Sequence, residues 1–202
     1  MDFSKKQDLT YTPEVIVFSN THSTMTGIVL IGGQSSRMGQ DKSMLLIGDQ
    51  PLYKIAAEKI APYCDKIFLS ANQNQISTNT FEYPTITDIF DSQGPIAGII
   101  SCHRHINKKL LIISCDIPLI SQTIIRDLES LHESENGCTM FYNVSSGYYE
   151  PMLSIWEVNM LDKLEKYFVA GGRSIQEFLH QNVINKYSPS SLSGFKNVNT
   201  QN

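Results

Sequence analysis

The chain has 202 residues, a charged fraction of 18% and a formal net charge of -4. That length suffices for one sizeable α/β core, and the mildly acidic balance excludes a generally basic surface that would draw in nucleic acid by bulk attraction. No apolar run approaches the roughly 20 residues that a membrane-spanning helix needs, and the polar N-terminus lacks the apolar stretch of an export signal.

Residues 1–25 read as a polar leader with a short apolar run at 15–18, either an extra edge strand or a loose arm, ahead of one domain expected over 26–202. Residues 26–31 (TGIVLI) are a β-branched run ending at Gly32-Gly33, the pattern of a buried parallel strand that feeds a tight loop. A helix is predicted over 52–61, with Pro51 at its start and Ile55, Ala56, Lys59 and Ile60 on one partly apolar face. Next come a strand at 66–70, a short extended segment at 84–86, a helix over 94–105 and a buried strand at 110–114 (LLIIS). Strands alternating with helices imply parallel pairing through right-handed crossovers.

Ser121 is placed to cap a helix whose apolar positions Ile124, Ile125, Leu128 and Leu131 follow the 3.6-residue period, with its end expected near Asn136-Gly137. Runs at 138–144 and 149–155, separated by Ser145, Ser146 and Gly147, predict an antiparallel hairpin beside the otherwise parallel sheet. Helices are expected over 160–168 and 174–181, around the Gly171-Gly172 break. Trp156, Tyr148 and Tyr149 read as packing residues of the hairpin, and His103 and His105 as a solvated basic helix end. Cys64, Cys102, Cys115 and Cys138 lie far apart with no C-x-x-C pair, which suits reduced thiols in the cytoplasm better than a disulfide frame or a zinc site.

Chemistry concentrates in three places. Directly after the first strand comes Gly32-Gly33-Gln34-Ser35-Ser36-Arg37-Met38-Gly39-Gln40-Asp41-Lys42. Glycines let backbone N–H groups turn onto an anion, and Arg37 and Lys42 add fixed positive charge. The stretch matches neither G-x-x-x-x-G-K-[ST] nor G-x-G-x-x-G, so a P-loop hydrolase and a dinucleotide oxidoreductase are unsupported. It also sits at the carboxyl end of a strand, where open α/β sheets bind ligands; the plain alternative is a glycine-rich turn with two solvated cations. Second, Asp116 in Ser114-Cys115-Asp116-Ile117-Pro118 is carried to the same sheet edge, as a Mg²⁺ ligand or as the start of a turn before Pro118. Third, the acidic loop around Asp88 runs into Gly94-Pro95-Ile96-Ala97-Gly98, as a base, ribose or metal-water contact or as a solvated loop before a helix.

These pieces, in this order, resemble the molybdenum cofactor guanylyltransferases, within the Mg²⁺-dependent nucleotidyltransferases. The family's L-A-G-G-x-S-x-R-M-G-x-D-K motif is present from Leu30 to Lys42, with only Ile31 departing from it. The resemblance implies a single Rossmann-like three-layer α/β domain with a mostly parallel sheet and an antiparallel hairpin. It implies GTP held by Leu30, Ile31, Gly32, Gly33, Lys42, Asn72, Asp88, Gly94 and Asp116, with Arg37, Lys42 and Asp116 catalytic and Mg²⁺ on Asp116. Glu150, Arg173, Asn197 and Asn199 match positions near the molybdopterin acceptor; the family's N-I-N-T reads Asn197-Val198-Asn199-Thr200 here, without the usual following Pro-Glu-Asp. Tyr149 is a further candidate to border the acceptor. The implied reaction is transfer of GMP from GTP to molybdopterin or its metal-loaded form, releasing pyrophosphate. Proteins that deliver molybdopterin, and molybdoenzymes that receive the product, are the partners the resemblance implies; neither nucleic acid nor membrane is among them.

Two other readings stay open at this stage. A cytidylyltransferase acting on molybdopterin or a sugar-alcohol phosphate is disfavoured by Gly32-Gly33, where the cytidine enzymes usually carry Ala-Gly. A non-catalytic nucleotide-binding relative is disfavoured by the joint presence of Arg37, Lys42 and Asp116.

Overall fold

The computed structural model describes residues 25–32, 41–90 and 94–188; the expected edge strand or arm at 15–18 lies outside them. In chain order the described elements are β1 (Thr26–Leu30), the two-residue pair β2 (Leu46–Ile47) and β3 (Gln50–Pro51), α1 (Leu52–Ile60), β4 (Lys66–Ala71), α2 (Gln73–Thr78) and β5 (Thr85–Thr87). They continue with α3 (Pro95–Ile106), β6 (Leu110–Ser114), α4 (Gln122–Ser130), β7 (Cys138–Asn143), β8 (Tyr148–Trp156), α5 (Val158–Val169), α6 (Ile175–His180) and β9 (Asn185–Tyr187).

The main sheet has the order β5-β4-β1-β6-β8-β7-β9. β5, β4, β1 and β6 are parallel neighbours. β8 runs antiparallel to both β6 and β7, and β9 is parallel to β7, so among the described strands of this sheet β8 alone opposes the common direction. The expected hairpin is therefore present, but its second strand, not its first, joins the parallel block.

The pleat sorts side chains into two cores. Val29 and Ile31, with Leu111 and Ile113, face Leu52, Ala56, Ile60, Ile125 and Leu128 of α1 and α4. Ile28 and Leu30, with Leu110 and Ile112, face Ile96, Ile99 and Ile100 of α3 and Leu161, Leu164 and Phe178 of α5 and α6. This alternation on buried strands gives three layers, a sheet between two helical faces. From β1 the chain builds outward through β4 and β5, then returns to lay β6 on the other side of β1. The carboxyl ends of β1 and β6 thus flank the point where the winding direction reverses, the site at which open α/β sheets form a ligand crevice.

Four expectations change. The helix from Ser121 stops at Ser130, well before Gly137. His132 is turned inward instead, with Nδ1 2.9 Å from Thr139 Oγ1 and Nε2 3.0 Å from Glu157 Oε1, and burying that side chain pulls the chain off the helix axis. Likewise the helix from residue 52 gives way at Ala61 to a 3-10 turn, Ala61–Tyr63; Pro62 has no N–H to continue the ladder. His103 is buried rather than solvated, with Nε2 2.9 Å from Asp162 Oδ1. It falls one turn beyond Ile99 and Ile100, on the stripe that α3 presents to α5, while His105 is exposed as expected. Trp156 is fully buried and Tyr149 nearly so, but Tyr148 projects into solvent. All four cysteines are buried free thiols.

Candidate functional site

Beyond the strand ends the backbone keeps its pairing, and this holds the candidate residues together. The N–H groups of Ile31 and Gly32 both donate to Ser70 O (3.0 and 3.2 Å), Asp88 N donates to Ala71 O (2.9 Å), and Cys115 N donates to Leu30 O (3.2 Å). Gly32, Ser70, Asp88 and Asp116 therefore leave four adjacent strands at one edge. Leu30 and Ile31 themselves bury their side chains and offer the site only backbone.

Around Asp88 the fit is close at two glycines. A Cβ on Gly32 would come within 3.1 Å of Asp88 Oδ2, and one on Gly98 within 2.7 Å of Ser70 Oγ and 3.4 Å of Asp88 Oδ1. Ser70 Oγ donates to Asp88 Oδ1 at 2.8 Å. Burial pushes the Asp88 carboxyl above its ordinary range, and the Ser70 hydrogen bond opposes that shift. Sequence reasoning passed over Ser70, whose one available signal was its position as the last polar residue of a buried strand. Gly94 sits at φ 74°, a backbone conformation that a side chain strains, and starts α3 ahead of Pro95.

On the other side of β1, Lys42 Nζ lies 3.7 Å from Asp116 Oδ2. Asp116 Oδ1 is buried and has no hydrogen-bond partner among the described residues. A desolvated, unpaired carboxylate oxygen is unfavourable, and a hard cation shared with ligand phosphates is a partner that offsets the cost. Among the described residues no three His, Cys, Asp or Glu side chains gather into a metal cage, so a cation on Asp116 would take its remaining ligands from the substrate and water.

Lys42 begins a 3-10 turn, Lys42–Met44, capped by Asp41, whose Oδ1 accepts from Ser43 N and Ser43 Oγ at 3.0 and 2.8 Å. Asp41 is held in turn by Gln75 and Asn79 of the α2 segment. Asn72 caps α2, its Oδ1 accepting from Gln75 N at 2.9 Å; that accounts for an asparagine at this position before any ligand is considered.

The second half of the site is built on β8. Met140 pairs with Ser154 but Phe141 pairs with Glu150, so Pro151, Met152 and Leu153 bulge out of the β7 ladder, and bulges favour the neighbourhood of sites. Gln176 clamps the adjoining backbone, its Oε1 accepting from Tyr149 N at 3.1 Å and its Nε2 donating to Tyr149 O at 2.6 Å. Burial pushes the Glu150 carboxyl up. Because β8 is antiparallel to β6, Glu150 lies at the edge where Asp116 leaves β6. Arg173 does different work: Nη1 donates to Phe168 O and Gly172 O, both at 2.8 Å, and the guanidinium stacks 4.4 Å over Phe168. It locks the turn after α5, and no described contact joins it to Lys42 or Asp116. Gly33, Arg37, Asn197 and Asn199 lie outside the described residues.

Similarity to known proteins extends over most of the chain. A molybdenum cofactor guanylyltransferase of Serratia proteamaculans is 27% identical over 184 residues, spanning 89% of this chain and 92% of that protein. One from Pseudomonas putida is 31% identical over 158 residues, 75% of this chain and 80% of the relative. Among solved structures, molybdopterin-guanine dinucleotide biosynthesis protein A from Archaeoglobus fulgidus shares the fold, with a TM-score of 0.66 at 23% identity over 81% of this chain and 83% of that one. The family described as the MobA-like NTP transferase domain matches residues 27–186, and the chain belongs to that family of nucleotidyltransferases.

Proposed function

We propose that this enzyme transfers GMP from GTP to molybdopterin, forming the guanine dinucleotide of the cofactor and pyrophosphate. The observation that carries the reading is the pairing of Lys42 with a partly orphaned Asp116 at the sheet's reversal point, next to a strand end where a Cβ on Gly32 would crowd Asp88. Relatives named for the same reaction, aligned over most of the chain, supply the substrates.

An oxygen of the acceptor's terminal phosphate attacks the α-phosphorus of GTP in line. The new P–O bond joins acceptor and GMP, and the bond to the β-phosphate breaks, its electron pair leaving with pyrophosphate. Two anions must meet, so the work of the chain is positioning and charge neutralisation. Lys42 places its ammonium where charge gathers on the phosphates, and Arg37 adds a second cation by its place in the motif. Gly32 admits the nucleotide against the backbone beside Ser70 and Asp88, with Leu30, Ile31, Asn72 and Gly94 around it and Gly33 joining them by its place in the motif. Asp116 is the residue that would hold Mg²⁺, which when bound supplies further neutralisation of the phosphates. Glu150, Arg173, Asn197 and Asn199 serve the acceptor side, Arg173 by fixing the α5–α6 turn. Four buried thiols fit work in the reducing cytoplasm.

Pyrophosphate release from GTP that depends on added molybdopterin tests the reading. Lys42→Ala should reduce it by about a hundredfold or more, on the scale of removing one charge-stabilising group, with the thermal midpoint retained. Turnover close to wild type would remove Lys42 from the mechanism.

A further inference from the structure

The exit of the glycine-rich loop is fastened by a residue that neither the motif nor any ligand contact points to. Gln75 is 8% exposed, and its side-chain amide is engaged on both ends. Nε2 donates to Ile31 O at 2.8 Å and to the two Asp41 carboxylate oxygens at 3.0 and 3.1 Å. Oε1 accepts from Asn72 N at 3.1 Å. Asn79, one turn further on, adds a donor to Asp41 Oδ2 at 3.0 Å and ties back to Gln75 O. One buried amide thus joins the end of β1, the end of β4 and the residue just before Lys42.

We propose that Gln75 is a positioning residue: through Asp41 it sets Lys42 against Asp116, coupling the nucleoside side of the crevice to its triphosphate side. Lysine carries four rotatable bonds, and a free lysine at a loop exit would spread its charge over many rotamers. With Asp41 holding five hydrogen bonds from Gln75, Asn79 and Ser43, the backbone that launches Lys42 is fixed. A fixed cation needs no reorganisation when charge develops on the phosphates. Aspartate suits position 41 because it is acceptor-only, and glutamine suits position 75 because one donor end and one acceptor end are both required. The turnover part of this role rests on the proposed GMP transfer; the triphosphate part does not.

Gln75→Glu replaces the donor with a second carboxylate facing Asp41. The variant should lose about a hundredfold in kcat, the scale of a small misplacement of a catalytic group, with the KM for acceptor unchanged. Its affinity for GTP should fall more than that for GMP, which lacks the β- and γ-phosphates. Adding Asp41→Asn restores a donor to the pair and should recover at least about tenfold, the coupling expected of contacting residues. Full kcat in Gln75→Glu overturns the proposal. So does a loss that Asp41→Asn leaves untouched and that weakens GMP as much as GTP, the signature of general damage. If Gln75→Glu does not fold, Asn79→Ala decides, since Asn79 is only half-buried and donates one hydrogen bond to Asp41. Its kcat should fall roughly threefold to tenfold, one hydrogen bond's contribution, at an unchanged thermal midpoint, and wild-type kcat there overturns the proposal. Should wild type fail to transfer GMP at all, the proposed reaction falls, and the GTP-against-GMP comparison still judges Gln75.

Discussion

Asp88 and Glu150 are carboxyls kept in places that disfavour their charge, and this makes a stability prediction. Burial raises each above its ordinary value, 3.8 for Asp88 and 4.5 for Glu150. The folded state therefore takes up a proton at higher pH than the unfolded chain does. Stability falls as pH rises from the unfolded value through the raised folded one, and the full cost is present above it. Asp88→Asn and Glu150→Gln should each raise the thermal midpoint of the ligand-free protein at pH 7, with the gain shrinking as pH is lowered toward 4. A lower midpoint at pH 7 would show that these charges hold the fold together instead of serving a ligand. Gly98 gives a second test. Alanine there must displace Ser70 Oγ from 2.7 Å, so Gly98→Ala should cost about 1–3 kcal/mol by overpacking and weaken nucleotide binding with it; a neutral result in urea unfolding would contradict the close approach. Of these residues the sequence announced Gly32, Asp88, Gly98 and Asp116 by their motifs. Ser70 and Gln75 carried no such signal, because their importance lies in partners from elsewhere in the chain, Asp88 for one and Ile31 and Asp41 for the other.

At the scale of elements, what could be read in advance depended on burial and length. β6 is predicted residue for residue, since four apolar residues closed by Ser114 leave little choice, whereas α2 (QNQIST) has hardly an apolar position and escaped notice. Its stability comes from a reciprocal capping box between Asn72 and Gln75, a pattern the sequence does contain. β9, three residues with no fully buried side chain, exists because β7 offers an edge. The end of α4 was misjudged for the opposite reason: Leu131 continues the helical period, but His132 is drawn to Thr139 and Glu157. The start of α4 was legible in Ser121, which accepts from Ile124 N at 3.3 Å. Ser121→Ala should cost about 1 kcal/mol, measurable by chemical unfolding, and should leave turnover alone because α4 carries none of the site residues. A loss of activity at unchanged stability would mean that α4 takes part in the site.

For the molecule as a whole, the reversal of winding between β1 and β6 decides where everything else goes. It sets Lys42 and Asp116 at the centre of the edge, Ser70 and Asp88 to one side on the parallel strands, and Glu150 to the other on the antiparallel β8. On the proposed reading the two sides of this edge divide the work, one taking the nucleotide and the other the acceptor. The measurement that bears most directly on this reading offers the wild-type protein Mg²⁺, molybdopterin and equal GTP and CTP, each labelled at the α-phosphate, and follows label into the dinucleotide product. Label entering from GTP in strong preference to CTP, and lost in Asp116→Ala, is the expected result. Preferential entry from CTP, or no transfer from either nucleotide, would contradict it.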